Sequence, residues 1–315
     1  MAAIMKTIIK SIPIPIAGLM LALATTGNLV AAYSVAAKYV LGSISGLIFI
    51  LLVLKLAVYP KQVLEGLNNP VIASVAPTFS MGLMVLSTYL KPSAPQLAYL
   101  LWWLAIAVHA LLMLVFFKKY ILNFNINKVF ASYFIVFVGI VVASVTAPAH
   151  QMLTVGQYIC YFGIFSFFIL LPFVLYRVYI VKQIPEPAIP TIAIMTAPAN
   201  LCLAGYLSSF PEKNITLVYI LMFFSVLTAV LALLKVPQIL RLKFYPSYSA
   251  LTFPFAITAV AFKKLSAFFN GANIQMVWLS TVADLLVFWA IAIVVYVTLR
   301  YFIFLVSKKE MSLAG

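Results

Sequence analysis

Residues 249–261, SALTFPFAITAVA, place a proline between two phenylalanines in a stretch that is apolar enough for a lipid bilayer. Proline inside a helix removes a backbone hydrogen bond and crowds the preceding turn. In lipid, such an interruption is tolerated where neighbouring helices or a water-lined cavity satisfy the freed carbonyl group. The residues around the two rings are small. Phe253, directly before Pro254, is therefore a candidate for plugging a pore, although packing is the ordinary role in a chain with 25 phenylalanines.

Among the ionisable residues, Asp284 is the only acid deep inside a predicted helix. Ionisable residues within a membrane are functional candidates by default, so Asp284 is a candidate proton site. The alternative is a hydrogen bond to a neighbouring helix, aided by Ser280 or Thr281, and it is slightly favoured. We expect His109 to be a packed neutral imidazole and His150 to lie in a loop.

Enzymatic chemistry has little support in this sequence. It contains no glycine-rich phosphate loop, no nucleophile paired with a base and no cluster of metal ligands. Cys160 and Cys202 each lie in an apolar run, where a lone thiol behaves as a small hydrophobic group. We therefore predict a protein that is not an enzyme and that has no cofactor and no metal site.

The composition places the chain in a membrane. Hydrophobic residues make up 66% of the 315 residues, charged residues 8%, and the mean hydropathy is +1.17. Soluble domains carry about 25% charged residues, so no soluble class fits. Apolar runs of about 20 residues, the length needed to cross the hydrocarbon core, follow one another along the chain. They predict ten membrane-spanning helices at 12–30, 35–58, 70–90, 96–117, 129–148, 154–180, 189–209, 214–240, 247–265 and 275–306.

Lysine and arginine predict the orientation. With a cytoplasmic N-terminus, fifteen of them fall on the inner side and five on the outer side. This asymmetry follows the positive-inside rule and places both termini in the cytoplasm. It also accounts for most of the net charge of +15 without a nucleic-acid partner. Lys263 and Lys264, at the outer end of the ninth helix, do not fit the rule and are candidates for a charged outer vestibule. The whole chain, 1–315, is then one transmembrane domain in the cytoplasmic membrane, with short cytoplasmic tails at 1–11 and 307–315.

A repeat runs through the odd-numbered helices. Each contains a proline or glycine interruption, and these residues are spaced 62, 62, 59 and 56 positions apart. In transporters, interrupted helices recur around the translocation path. The spacing predicts five helical hairpins around one axis, with these interruptions lining a pore: Pro15, Pro77, Gly139, Pro198 and Pro254.

Four short motifs resemble the tellurite-resistance/dicarboxylate transporter family, which includes a bacterial tellurite-resistance channel homologue and the plant guard-cell slow anion channel. They are PIPIAG at 13–18, NPV at 69–71, APANLCLAGYL at 197–207 and TFPF at 252–255. The resemblance covers nearly the whole chain. It implies an all-α protein with a quasi-five-fold pore lined by the odd helices, occluded by a phenylalanine of the ninth helix, and a homotrimer. Phe253 matches the occluding residue. Relatives often have an aromatic residue near Ser249 or Ala250, where this chain has none, so Phe255 is the competing gate residue.

Two classes of transport function remain open. The first is a gated channel that passes small inorganic or organic anions, and the second is a proton-coupled carrier of dicarboxylate, sulfite or tellurite-type oxyanions. A channel needs groups that solvate an anion weakly enough to release it. The pore-candidate helices supply such groups at Thr25, Thr26, Ser80, Ser87, Ser144, Thr146, Thr196, Asn200, Thr252 and Thr258. A carrier would need a protonatable group on the path and an arginine for a carboxylate. Since Arg177, Arg241 and Arg300 all fall near the predicted inner boundary, the channel is favoured.

Overall fold

The computed structural model describes residues 6, 9–274 and 276–314, with side chains described up to residue 307. The predicted tail at 1–11 lies partly outside these residues, and residue 315 lies wholly outside them. The described part of the chain is helical and contains no strand. Its α-helices are α1 Ile16–Val30, α2 Val35–Val58, α3 Pro60–Gly66, α4 Pro70–Val75, α5 Thr78–Leu90, α6 Pro95–Phe116, α7 Tyr133–Phe137, α8 Val142–Thr146, α9 Leu153–Leu175, α10 Ala197–Ser209, α11 Ile215–Leu233, α12 Val236–Leu240, α13 Thr252–Gly271 and α14 Val277–Ala314.

Tighter and wider helical turns extend these helices. The 3₁₀ segments are Ile126–Lys128, Gly139–Val141, Ala147–His150, Glu186–Thr196 and Pro246–Leu251. The π-helical segments, Phe117–Ile121 and Tyr176–Val181, continue α6 and α9 at their C-terminal ends. The predicted boundaries agree with the structure within a few residues for most segments. The ninth and tenth segments run further than predicted, to Gly271 and Ala314.

Helix starts follow local capping chemistry. The side chains of Ser34, Asn69 and Asn214 accept hydrogen bonds from the first free N–H groups of α2, α4 and α11. Such caps satisfy donors that have no partner within the helix. Prolines occupy the first turns of α4 and α6, where the missing N–H costs nothing. The chain can therefore turn sharply between successive helices.

Successive long segments pair as hairpins, and the first member of each pair lies inside. We call these first members the inner segments: Ile16–Val30, Pro70–Leu90, 133–150, Glu186–Ser209 and Pro246–Gly271. Their partners α2, α6, α9, α11 and α14 are the outer helices. In the apolar window of Glu186–Ser209, 94% of residues are buried, against 22% in that of Pro95–Ile121. The outer helices thus shield the inner segments from lipid.

The inner segments form a closed ring. In this ring α1 contacts α5, α5 contacts α8, α8 contacts α10, α10 contacts α13, and α13 returns to α1. This order is the order of the chain. The prediction of an all-α polytopic membrane protein built from helical hairpins is confirmed.

Eight helices in the described part of the chain are long and apolar enough to cross a membrane. The first and fifth predicted spans correspond to two shorter apolar helices, Ile16–Val30 and Gly139–His150. The count of ten spans therefore remains a prediction. We call the face carrying the turns 31–34, 91–94, 151–152 and 210–214 the hairpin face. The opposite face, where 59–69, 122–128, 182–185 and 241–245 connect the hairpins, is the terminal face.

Candidate functional site

Three cavities follow one another along the axis of the ring. A central cavity of about 30 Å³ is bounded by residues from all five inner segments. On one side is a hairpin-face cavity of about 620 Å³, and on the other a terminal-face cavity of about 810 Å³. The central cavity is lined by Gly18, Val75, Thr78, Met81, Phe134, Ile135, Val138, Gly139, Ile194, Ala197, Leu201, Ser249, Ala250, Phe253 and Pro254. The axis is therefore wide at both faces and nearly closed in the middle.

Phe253 lies at the boundary between the central and hairpin-face cavities, since it lines both. Its side chain is 6% exposed. Phe255 lines neither cavity. Its ring packs edge-to-face on Trp289 of α14, with the centroids 5.9 Å apart. The two candidate gate residues thus face opposite sides of α13, and only Phe253 faces the axis.

The backbone before Phe253 changes helix type. The 3₁₀ segment Pro246–Leu251 ends where α13 begins, at Thr252. The Thr252 hydroxyl lies 2.6 Å from the carbonyl oxygen of Ser249 and 3.3 Å from that of Gly18, which ties this junction to α1. The Thr258 hydroxyl donates to the carbonyl of Pro254 at 2.7 Å. The junction therefore has side-chain partners for its carbonyls.

We expected Pro254 to bend the ninth helix in its interior, and this expectation is wrong. Pro254 lies in the first turn of α13, where no intrahelical N–H bond is lost. The 3₁₀-to-α transition precedes the proline, between Leu251 and Thr252. Phe253 is therefore the second residue of α13, immediately after this transition.

The other predicted interruptions lie at ends or changes of helical segments, and Pro15 is the N-cap of α1. Pro77 separates α4 from α5, Gly139 begins a 3₁₀ turn, and Pro198 lies in the first turn of α10. Pro15 lines the terminal-face cavity, whereas Gly139 and Pro254 line the central one. Pro77 and Pro198 line none of the three cavities, although their neighbours Thr78 and Ala197 line the central one.

Most of the predicted pore hydroxyls face away from the axis. Of the ten polar residues proposed for the path, Thr25 and Thr146 line the hairpin-face cavity. Ser80 and Ser87 instead contact the two histidines. The polar residues that line the central and hairpin-face cavities and that sequence reasoning missed include Asn28, Thr78, Thr88 and Ser249. No sequence signal distinguished them, because the inner segments are apolar on all sides.

The predicted outer charges lie at the hairpin-face cavity. Lys263 and Lys264 both line it, together with Lys38 of α2. The Lys263 ammonium forms a salt bridge with Asp284 at 2.5 Å, and the Tyr33 hydroxyl donates to the same carboxylate oxygen at 2.9 Å. Asp284 of α14 is thus linked to α13 by a salt bridge and to the first hairpin turn by a hydrogen bond. The partners suggested from the sequence, Ser280 and Thr281, are not the ones that contact its carboxylate; the Ser280 hydroxyl donates to the carbonyl of Val277.

Both histidines are packed. The ring of His109 lies 3.0 Å from the Ser80 hydroxyl and 3.1 Å from the carbonyl of Val136. The expectation of a loop position for His150 is wrong. Its ring stacks on Trp102 with centroids 5.1 Å apart and lies 3.0 Å from the Ser87 hydroxyl. Only 3% of His150 is exposed.

The terminal-face cavity has a mostly apolar lining that includes side chains of both signs of charge. Lys10, Lys55 and Glu65 line it, and the buried Lys55 ammonium donates to the carbonyl of Lys10 at 2.8 Å. At its edge, the Tyr245 hydroxyl donates to Glu186 at 2.6 Å. A hydrogen bond with Tyr245 raises the pKa of Lys243 above its ordinary value, so this side chain stays charged.

The described residues contain no group of three or more histidine, cysteine or acidic side chains suited to a metal ion. Cys160 and Cys202 are buried and unpaired by a disulfide, with the Cys160 thiol 3.7 Å from the carbonyl of Cys202.

A ring of interrupted helices around a closed axial path, wide at both faces, is the architecture of a membrane channel or transporter. Comparison with protein families matches residues 11–301 to the family described as voltage-dependent anion channel. The match covers most of the chain, which therefore belongs to this family, as the resemblance of its motifs predicted. Comparison with individual curated proteins gives no match.

Proposed function

We propose that the chain is a gated channel for the passive flux of small anions across the cytoplasmic membrane, with Phe253 as its gate. The observation that carries this proposal is the position of the Phe253 ring between the hairpin-face and central cavities. An aromatic ring at such a constriction excludes hydrated ions in two ways. It fills the lumen, and its apolar faces dewet the path.

The charge of the hairpin-face cavity supports an anion as the permeant species. Lys38 and Lys264 line the cavity, and its described lining contains no acidic side chain. A cavity lined by one sign of charge raises the local concentration of the opposite ion. Anions therefore concentrate directly above the gate.

The carrier alternative needs a protonatable group on the path. The described linings of the central and hairpin-face cavities, which meet at the proposed gate, contain no acidic side chain, and Glu65 lies on the far side, in the terminal-face cavity. Asp284 lines none of the three cavities and is paired with Lys263. A carrier would also need an arginine that binds the carboxylate. The buried Arg177 instead donates to the carbonyls of Asn127 and Gln183. Neither residue is placed to couple a proton to an oxyanion, which favours the channel.

The proposed orientation places the terminal face in the cytoplasm and the hairpin face outside. Its support is the excess of lysine and arginine predicted on the terminal side, which follows the positive-inside rule. Assembly as a homotrimer in the lipid bilayer is proposed from the family resemblance.

The experiment compares planar-bilayer chloride currents of the purified protein and its Phe253→Ala variant. Removing the ring should raise conductance about tenfold or more, since tenfold in rate corresponds to only about 1.4 kcal/mol of barrier. Phe288→Ala, at a ring 72% exposed on α14, is the matched control and should not change the current.

A second control separates the two candidate gates. Phe255→Ala should lower stability through loss of the Trp289 contact without raising conductance. If Phe255→Ala conducts and Phe253→Ala does not, the wrong ring was assigned to the gate. Unchanged currents from both folded variants would overturn the proposal. Uptake that requires a proton gradient would favour the carrier.

A further inference from the structure

One face of α13 runs from the gate to a charged end. Phe253, Ile257, Val260 and Lys264 all line the hairpin-face cavity, and their spacing of four, three and four residues places them on one side of the helix. Lys264 therefore lies on the same side of α13 as the proposed gate, three turns toward the hairpin face. Lys263 is one residue earlier and so about 100° around the helix from this stripe.

The charge of Lys263 is already balanced. Its ammonium lies 2.5 Å from the Asp284 carboxylate and 5.4 Å from the centre of the Tyr33 ring. The Tyr33 hydroxyl completes this group by donating to the same carboxylate oxygen at 2.9 Å. Three elements are joined here: the first hairpin turn, α13 and α14. An ion arriving from the hairpin face therefore meets a neutral pair at Lys263.

Lys264 has no such counter-charge. Among the described residues, its ammonium has no hydrogen-bond or salt-bridge partner, although the side chain is half-buried. The cations nearby are engaged with neutral groups. The Lys213 ammonium donates to the carbonyl of Phe210 at 2.7 Å, and that of Lys38 lies 5.2 Å from the centre of the Tyr89 ring.

The hydroxyls of this cavity cannot replace Lys264 as donors. Thr25, Thr88 and Thr146 each donate their proton to a carbonyl of their own helix, at 2.8, 2.7 and 2.9 Å. A lysine ammonium carries three donors and a full charge. On the cavity-lining face of α13, Lys264 is therefore the residue that offers a full charge and free donors to an anion.

We propose that Lys264 is an anion-binding site on the hairpin side of the gate, and that Asp284 neutralises Lys263 so that one lysine of the pair binds the ion. As a step of conduction, the site rests on the proposed channel function. As a binding site for a small anion, it can be measured in the closed protein. A single unpaired ammonium above an apolar wall binds weakly enough to release the ion, which conduction requires.

The charge assignment is tested in the Phe253→Ala background by measuring the half-saturating chloride concentration from the hairpin face in planar bilayers. Lys264→Gln should raise the half-saturating concentration about three- to tenfold. Lys264→Arg keeps the charge, so its half-saturating concentration should be close to that of the parent. The double variant Lys263→Gln/Asp284→Asn removes a pair without changing net charge, so it should stay within about twofold of the parent. Asp284→Asn alone frees Lys263 and should lower the half-saturating concentration.

Iodide binding tests the site without conduction. Crystals of the otherwise unaltered chain soaked in iodide should show an anomalous peak at the Lys264 ammonium that is absent from Lys264→Gln crystals. If Phe253→Ala does not conduct but the peak is present, the channel proposal fails and the binding site stands. If Phe253→Ala conducts while Lys264→Gln leaves half-saturation unchanged, the site is refuted. The site is also refuted if the double variant Lys263→Gln/Asp284→Asn loses as much chloride affinity as Lys264→Gln.

Discussion

Phe253 and Phe255 flank one proline yet have different environments. In a helix, two residues two positions apart point about 200° away from each other. Phe253 therefore faces the axis, while Phe255 packs on Trp289 of the outer helix α14. The FPF motif supplies one ring for the proposed gate and one ring that packs α13 against its hairpin partner. This second ring fixes the rotation of the helix and so holds the first ring on the axis.

His150 is a structural residue of the third hairpin. Its ring stacks on Trp102 and is hydrogen-bonded to Ser87, so it joins three segments. His150→Ala should lower the free energy of unfolding by about 1–3 kcal/mol, because it leaves a cavity beside Trp102 and removes the histidine partner of Ser87. Thermal unfolding in detergent measures the loss.

Tyr158→Ala in the same hairpin is the control, since that ring is 73% exposed and should change stability little. Equal losses at both positions would contradict a packing role for His150. The sequence could not reveal this role. The run Ala147-Pro148-Ala149-His150 is typical of a loop, and Trp102 lies 48 positions away in the chain.

At the scale of helices, the sequence predicted where the inner segments are interrupted but not how. Prolines and a glycine at regular intervals indicated broken helices, and in the structure a helical segment ends, begins or changes type at each site. The sequence could not show that Pro254 lies at the start of an α-helix rather than bending one in its interior, since both arrangements accept proline. Which side of an inner segment faces the axis was also hidden. The inner segments are apolar on every side, so the periodicity of their hydrophobic residues does not identify the side that faces the axis.

Close contacts between the outer helices and the inner segments depend on glycine at one position in particular. A Cβ at Gly163 of α9 would lie 2.0 Å from a methyl group of Val141. The valine side chain is short and branched, so it cannot move aside easily. Gly163→Ala should therefore destabilise the protein by about 1–3 kcal/mol through overpacking. Thermal unfolding in detergent tests this value.

Gly46 of α2 provides a matched comparison on another outer helix. A Cβ there would meet nothing within 4 Å. Gly46→Ala should stabilise the protein by about 0.5–1 kcal/mol, because alanine is the better helix former. If both substitutions act in the same direction, α9 does not pack against the 3₁₀ turn as closely as described.

At the scale of the whole molecule, the hairpin order and the ring around one axis were predictable because the interruptions repeat. The cavities were not predictable, since their lining comes from residues brought together by all five inner segments. Phe134 and Leu201 meet at the central cavity although 67 positions separate them. The pairing of Tyr33 with Asp284 spans an even longer separation, from the first hairpin to the last.

The last prediction concerns the orientation of this ring in the membrane. Single cysteines at exposed turn positions of the hairpin face, Ser93→Cys and Glu212→Cys, should react with an impermeant maleimide added to intact cells. Cysteines on the terminal face, Asn123→Cys and Gln183→Cys, should react only after the membrane is opened. The reason is that lysine and arginine are retained on the cytoplasmic side during insertion, and the terminal face carries the excess. The natural thiols Cys160 and Cys202 are buried, so the unaltered chain is the blank. The reverse labelling pattern would place the Lys264 cavity inside the cell and make the gate open toward the cytoplasm.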